Sequence, residues 1–201
     1  MANIFNPDNQ SKSLDNKIVI ALERISEAFK AMLWEQSKAH ALSPIQIQVL
    51  IFVHNHEPEF AKVSYLSEEF NVTKATMSDT IKTLEKKSFI TKEPDFNDQR
   101  SYQIKLTSKG IDVALSISNY PLPLVKAVKY LDPEEKTDTY NSLIALLNHL
   151  NNSGVINVNR MCHSCKFLQK GEKDYYCNFL EKTLKKEDLR IDCPEHSVKI
   201  N

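Results

Sequence analysis

The chain has 201 residues, and its 26 Lys and Arg are balanced by 26 Asp and Glu, so its formal net charge at pH 7 is zero. This length suffices for one domain of ordinary size plus a small appendage, and a core of that size needs no disulfides. The balance excludes a chain that is basic throughout, so any surface for nucleic acid must arise from local segregation of charge.

The sequence shows no signal for a membrane or for secretion. Its longest apolar runs, IVIAL, VLIFV and LIALL, are too short to cross a bilayer. The first residues, MANIFNPDNQSKS, lack the basic and apolar regions of a signal peptide. We therefore expect a cytoplasmic protein.

Two helices are predicted in the first quarter of the chain. From Leu14 to Ala39 the apolar residues recur at helical spacing, which predicts one long amphipathic helix. Ser43 followed by Pro44 is a typical helix start, a cap residue with proline in the first turn. Ile45 to His54 is apolar enough to be buried on most sides and is predicted to be a scaffold helix. The pair His54 and His56 at its end is expected to be structural or surface, not a metal site.

A helix-turn-helix is predicted next. Ser64 to Phe70 has the length of one short helix, ended by Asn71, a residue that tolerates the left-handed conformation of a tight turn. Thr73 is a plausible N-cap of the second helix. There Met77, Ile81 and Leu84 form one apolar stripe at helical spacing and are predicted to be core. The opposite face is polar and suited to lie against base edges; it carries Lys74, Thr76, Ser78, Asp79, Lys82 and Lys86.

A two-stranded hairpin follows without a spacer. Phe89 to Lys92 and Tyr102 to Leu106 alternate well enough for two strands, and the segment EPDFNDQR between them is rich in turn formers. This loop is predicted to be the wing of a winged helix. We expect Arg100 to enter the narrow minor groove of DNA, with Asp98 holding its guanidinium in place.

From about Leu42 to Gly110 the sequence resembles the MarR family of bacterial transcription regulators. The matching pieces are LSPIQIQVL, YLSEEFNVTKATMSDTIKTLEKKSFI, a D-x-x-D-x-R loop at Asp95, Asp98 and Arg100, and KLTSKG. The chain departs from the family pattern at Ser88, where glycine is usual, and at Asp79 and Thr83, where arginine is frequent. These last two departures touch the face that reads DNA and therefore the identity of the operator.

The resemblance implies a homodimer that binds double-stranded DNA at a pseudo-palindromic operator. It implies DNA contacts from the second helix of the helix-turn-helix, the recognition helix, to which we add Asp79 of that helix and the wing residues Asp98 and Arg100. The candidate DNA-binding residues are Lys74, Thr76, Ser78, Asp79, Lys82, Asp98 and Arg100. Proteins of the family commonly release DNA when a small molecule binds between the dimerisation helices and the DNA-binding lobe. No residue of this chain identifies such an effector.

Further helices are predicted after the hairpin. Thr107 caps one that runs through Ser118, and the prolines in the segment 120–123 must interrupt it. Asp132 and Pro133 restart a helix that ends at the segment 151–154. Its apolar stripe comprises Leu143, Leu146, Leu147 and Leu150. This stripe and that of the N-terminal helix either pack on each other or pair across a twofold axis, and we expect the dimer.

All four cysteines lie within the last forty residues, as CHSC-x11-C-x15-C. In a reducing compartment such cysteines favour a metal over structural disulfides. We expect one metal centre on Cys162, Cys165, Cys177 and Cys193; a set in which His196 replaces one thiolate stays open. Zinc is favoured because it is redox-inert and closes tetrahedrally, with an iron–sulfur cluster as a close second. The alternative is buried, unliganded cysteines in a small helical subdomain.

The predicted fold class is mostly α (α+β): a winged helix-turn-helix with long dimerisation helices and a small C-terminal metal module. The predicted division is an N-terminal dimerisation helix at 1–41, a DNA-binding domain at 42–110, C-terminal dimerisation helices at 111–154 and a cysteine-rich tail at 155–201.

The predicted function is transcription regulation, with a response to a small ligand or to metal or redox state. The rival is a redox or electron-carrying protein that uses the winged helix for protein contacts. An enzyme is not expected, because four protein thiolates leave a metal no open position.

Overall fold

The computed structural model describes residues 3–94, 102–157, 159–172 and 174–198. The chain is mostly helical and carries two small antiparallel sheets. In chain order the elements are α1 (Pro7–Gln10), α2 (Leu14–His40), α3 (Pro44–Asn55), α4 (Val63–Glu69), α5 (Lys74–Lys86), β1 (Ile90–Pro94), β2 (Tyr102–Leu106), α6 (Ser108–Ile117), α7 (Leu122–Val128), α8 (Pro133–Asn152), β3 (Leu168–Lys170), β4 (Tyr175–Cys177) and β5 (Lys182–Leu184). The predicted fold class is confirmed for the winged helix.

The predicted helix starts are confirmed by their caps. The Ser43 side chain accepts a hydrogen bond from the Gln46 backbone, and the Gln46 side chain accepts one from Ser43 in return. Asp132 and Glu135 form the same reciprocal box at the start of α8. The side chain of Thr107 caps α6. Each cap satisfies a backbone N–H that has no partner within the helix, and these starts could therefore be predicted from local sequence.

The main core is built around α3. Ile47, Val49 and Leu50 of this helix are fully buried, and α3 packs against α2, α5, α6 and β2. An apolar side chain that is removed from water in this way contributes about 1.5–3 kcal/mol to folding. The scaffold role predicted for this helix is confirmed.

The hairpin pairs β1 with β2 in antiparallel register from Ile90 opposite Leu106 to Pro94 opposite Tyr102. Strand β1 therefore starts one residue later than predicted and continues beyond Lys92. Ser88 has a left-handed backbone, with φ of 60°, and this turn separates the end of α5 from the strand. The predicted wing residues Asp95, Asp98 and Arg100 lie outside the described residues.

A short helix that was not predicted follows the interruption at 120–123. Pro123 lies in the first turn of α7, where a missing backbone N–H removes no helical hydrogen bond. The prolines therefore end one helix and begin another. Among the described helices, none combines the length and the apolar character that a membrane span requires.

The long helices leave much of their apolar surface exposed. Helix α2 packs on α1 and α3, and within the described residues it makes no substantial contact with α8. The alternative in which the two stripes cover each other is therefore wrong for the single chain. The exposed apolar residues of these two helices are Leu14, Ile18, Val19, Ile25, Phe29, Trp34, Leu143, Leu146 and Leu150.

The stripe assigned to α8 is divided between two faces. Leu147 packs with buried Ile144 against the tail, whereas Leu143, Leu146 and Leu150 are exposed. The prediction of one uncovered stripe is therefore corrected for Leu147, because the tail folds back and packs against this side chain in the single chain.

The tail forms a compact unit on α8. Strands β3, β4 and β5 make a three-stranded antiparallel sheet in that order. Met161, Leu184 and Leu189 are buried beside Ile144 of α8. The alternative of a small helical subdomain is wrong, because the described tail contains strands and short 3-10 turns.

Candidate nucleic-acid interface and cysteine module

Helices α4 and α5 form a helix-turn-helix. Asn71 ends the first helix in the left-handed conformation, with φ of 51°. The Val72 backbone N–H donates to the Ser67 carbonyl across 2.9 Å. The Thr73 side chain accepts from the Thr76 backbone N–H, so α5 begins as predicted. The turn therefore fixes α5 firmly against α4.

Helix α5 has one buried and one exposed face. Met77, Ile81 and Leu84 have no exposed surface and are confirmed as core. Thr80, which the sequence reasoning did not identify, is also buried, and its hydroxyl donates to the Thr76 carbonyl across 2.9 Å. The opposite face brings together the candidate DNA contacts; Lys74, Thr76, Asp79 and Lys82 are exposed and Ser78 is half-buried.

The charges on this face are only partly paired. Lys82 Nζ lies 3.2 Å from Asp79 Oδ1, and both side chains are well exposed. An ion pair of this kind contributes about 0–1 kcal/mol, so it can open when a phosphate approaches. Lys74 and Lys86 have no ion-pair partner within the part of the chain that the structure describes. Positive charge is therefore available at both ends of α5.

The hairpin is tied to the end of α5 by the segment KLTSKG. Thr107 Oγ1 accepts from the Gly110 backbone across 3.1 Å and donates to the Ser88 carbonyl across 2.8 Å. Lys109 lies over the Phe89 ring, 4.4 Å from its centroid. These contacts hold β1 and β2 beside α5, in the place of a wing.

The backbone brings the four cysteines into one small region. The Cys162 N–H donates to the Arg190 carbonyl across 2.9 Å, and the Cys193 N–H donates to the Arg160 carbonyl across 3.0 Å. Cys162, Cys165 and Cys193 are buried, Cys177 is half-buried, and all four are free thiols. Burial raises the pKa of the Cys162 thiol; an N–H from Arg190 lowers it, and the other three cysteines raise it further.

The chemistry of these donors fits a thiophilic metal, because four thiols are the complete ligand set of a structural zinc site. Among the described side chains, no group of three or more His, Cys, Asp and Glu has the geometry of a metal site. His196 Nε2 lies 3.0 Å from the Ser164 hydroxyl, and burial lowers the pKa of its ring.

A buried arginine joins the tail to the helix-turn-helix, and the sequence reasoning missed it. Arg160 is only 4% exposed. Its Nε lies 2.6 Å from Asp192 Oδ1, and its guanidinium also reaches Glu69 at 3.4 Å and the hydroxyl of Tyr65. The guanidinium carbon is 4.9 to 5.5 Å from the ring centroids of Phe52, Phe60 and Tyr65. We call Arg160, Asp192, Glu69, Tyr65 and His56 the Arg160 cluster.

His56 is held by two acceptors in this cluster. Its Nδ1 lies 2.8 Å from the Phe52 carbonyl and its Nε2 lies 2.8 Å from Asp192 Oδ2. Only a ring that is protonated on both nitrogens donates to both. Burial lowers the pKa of His56, but its hydrogen bonds to Asp192 and to the Phe52 carbonyl outweigh burial and raise it.

The Asp192 carboxylate is held in its charged form. Burial raises the pKa of Asp192, but hydrogen bonds from His56 and Arg160 bring it well below its usual range. No local signal in the sequence marks this cluster, because Arg160 and Asp192 are 32 positions apart and Glu69 is 91 positions from Arg160.

Comparison with known proteins agrees with this geometry. Residues 42–102 match the model of the MarR family. Over 113 residues the chain is 27% identical to YfiV of Bacillus subtilis (strain 168), an uncharacterized HTH-type transcriptional regulator; the match covers 56% of this chain and 69% of that protein.

Two solved structures show the same fold. The S. aureus MepR–DNA complex superimposes with a TM-score of 0.58 at 22% identity, covering 65% of this chain and 96% of MepR. Streptococcus pneumoniae FabT in complex with DNA gives a TM-score of 0.58 at 20% identity, covering 68% of this chain and 97% of FabT. The tail lies outside the residues that match the family model.

Proposed function

We propose that this chain acts as a MarR-type winged-helix transcriptional regulator through its residues 42–102, and that it binds a pseudo-palindromic duplex as a homodimer. It is a DNA-binding regulator and not an enzyme. The observation that carries the proposal is the exposed polar face of α5, which Met77, Ile81 and Leu84 hold in place from the opposite side. MepR and FabT, which share the fold, are both described bound to DNA.

The dimer is proposed from the exposed apolar faces of α2 and α8. A monomeric protein rarely exposes so many large apolar side chains on its longest helices, and a second copy would cover them. A twofold axis there would present two recognition helices to successive major grooves, about 34 Å apart. Sedimentation at micromolar concentration tests this directly, and a monomer at all concentrations would contradict it.

DNA binding is tested by selecting duplexes from a randomised library with the purified protein. We expect one enriched sequence with two related half-sites. Its affinity should fall steeply with salt, because bound lysines release counterions from phosphates. Lys74→Ala should reduce the slope of log affinity against log salt by about one. Lys182→Ala, which removes a lysine from an exposed strand of the tail, should leave the slope unchanged.

The rival function, a redox or electron-carrying protein, makes a different prediction for the same experiment. Such a protein would show no duplex preference and no salt-dependent DNA affinity. Enrichment of a palindromic sequence therefore counts against it.

For the tail we propose a single metal centre on Cys162, Cys165, Cys177 and Cys193, with zinc preferred over an iron–sulfur cluster. The support is the donor set and the small size of the tail core, because a unit of this size usually gains stability from a metal or a disulfide. Metal content and colour after aerobic and anaerobic purification test it. Zinc at one per chain is expected, brown colour would indicate the cluster, and no metal in either preparation would contradict the site.

A further inference from the structure

We infer that Arg160 is a positioning residue, which locks the tail onto the first helix of the helix-turn-helix and so fixes the recognition helix relative to α8. The inference rests on the proposed function, because it concerns how two recognition helices are spaced on one duplex. It adds a role for the tail, which lies outside the residues that match the family model.

One part of the tail surface packs against α8. Ile144 is buried in the tail core, and Leu147 packs beside it. The hydroxyl of Tyr140 donates to the carbonyl of Leu189. These contacts come from the same helix whose exposed leucines we propose as part of the dimer interface. The tail therefore follows any movement of α8.

A second part of the tail surface contacts α4 and the turn after it. Arg160 reaches Tyr65 and Glu69 of α4 while its Nε is bonded to Asp192 of the tail. The Asn157 backbone N–H donates to Asn71 Oδ1 across 3.0 Å, and Asn71 is the turn residue between α4 and α5. The tail thus contacts the helix-turn-helix on both α4 and its turn.

These two attachments make the tail a strut between α8 and the helix-turn-helix. Helix α5 packs on α4, so a fixed α4 also fixes the recognition helix. In a dimer built on α2 and α8, the distance between the two recognition helices then depends on the strut. Half-sites must lie a set distance apart on DNA, so a loose strut would tolerate operators of the wrong spacing.

The Arg160 side chain is suited to this role because its planar guanidinium bonds in several directions at once. Two carboxylates and a hydroxyl from both sides of the joint accept from it, and three aromatic rings exclude water around it. A lysine would supply the charge but not a planar group with several N–H donors. A methionine would fill much of the space without leaving a buried charge.

The test uses the full-length protein and a duplex enriched from a randomised library by the wild type. Versions of that duplex with one base pair inserted or deleted between the half-sites measure the spacing preference. Arg160→Met is expected to reduce this preference by about 3- to 30-fold, the range typical of coupling through packed contacts. Hydrogen exchange in residues 63–72 of the free protein should become faster.

Two further variants complete the design. Lys182→Met removes one positive charge from an exposed tail position and should behave as wild type in both measurements. Tyr65→Phe deletes only the hydroxyl that faces Arg160 and should produce a smaller change in the same direction. If Arg160→Met fails to fold, Tyr65→Phe decides the question.

The positioning role is overturned if Arg160→Met keeps the wild-type spacing preference, whether or not exchange in α4 becomes faster. If Arg160→Met does not fold, the same criterion applies to Tyr65→Phe. Faster exchange alone would show that the residue only supports the fold. If the wild type enriches no duplex at all, the proposed function fails and the positioning role fails with it. The two failures are therefore distinguishable.

Discussion

At the scale of single residues, Gly110 lies where a side chain would collide with the hairpin. A Cβ atom at this position would be 2.0 Å from the Phe89 carbonyl oxygen, which is backbone and cannot turn away. Glycine in a helix normally makes a protein about 1 kcal/mol less stable than alanine does. At position 110 we expect the reverse, with glycine more stable than alanine. The close approach explains why the segment KLTSKG ends in glycine.

We predict that Gly110→Ala lowers the free energy of unfolding by about 2–4 kcal/mol, because the hairpin must move away from α6. Urea titration followed by circular dichroism measures it. Ser116→Ala, at an exposed position of the same helix, should change the stability by less than about 0.5 kcal/mol. A gain in stability for Gly110→Ala would contradict the close contact.

Ser88 has a left-handed backbone with φ of 60°, at the position where the family usually has glycine. A left-handed residue other than glycine costs about 1–2 kcal/mol, and part of that would return as greater freedom of glycine in the unfolded chain. Ser88→Gly should therefore stabilise the protein by about 0.5 kcal/mol. Thermal unfolding should show a higher Tm for Ser88→Gly and none of that gain for Ser88→Ala; a lower Tm for the glycine variant would contradict the strain.

At the scale of elements, the Arg160 cluster makes the docking of the tail on α4 sensitive to pH. The pKa of His56 is raised above its ordinary 6.5. The stabilisation that protonated His56 gives to the joint is therefore complete below pH 6.5 and is lost as pH rises through the raised pKa. The pKa of Asp192 is lowered from 3.8, so its contribution is present above that value and is lost only in strong acid. Arg160 faces both groups and stays charged throughout.

We therefore expect the joint between tail and α4 to be tightest between about pH 4 and 6.5 and looser in alkaline solution. Hydrogen exchange of residues 63–72, corrected for the intrinsic effect of pH, measures the joint. His56→Gln should flatten the profile above pH 6.5, because glutamine keeps a donor but does not titrate there. A His56→Gln profile that still follows the wild type would assign the pH dependence to another group.

At the scale of the whole molecule, the exposed leucines of α8 and the apolar side chains of α2 form the surface that we propose a second copy covers. Leu146 and Tyr176 are each 39% exposed in the single chain, but only Leu146 belongs to the proposed interface. A charge at either position costs the monomer little. In the dimer, a charge at Leu146 would be buried without a partner.

Leu146→Glu should therefore convert the dimer to a monomer and weaken duplex binding, with the helix content unchanged. Light scattering after size exclusion gives the mass, and circular dichroism gives the helix content. Tyr176→Glu should stay dimeric. The opposite pattern, a dimeric Leu146→Glu and a monomeric Tyr176→Glu, would move the interface from the long helices to the tail.

The features that could be predicted from the sequence are those whose causes are local. Ser43, Thr73 and Asp132 start helices because each cap bonds to a backbone N–H only three residues away. The stripe of Met77, Ile81 and Leu84 follows from the helical period. The helix-turn-helix and the exposed polar face of α5 could be predicted for the same reason.

The placement of the tail could not be predicted, because it depends on contacts between distant segments. Residues far apart in sequence form the Arg160 cluster, and no period or spacing links Arg160 to Glu69 or to Asp192. The division of the α8 leucines depends on the same folding back, because a helical stripe shows which side chains share a face but not what covers them. Burial of a charged side chain is decided by partners from distant segments, and the chain must fold before those partners meet.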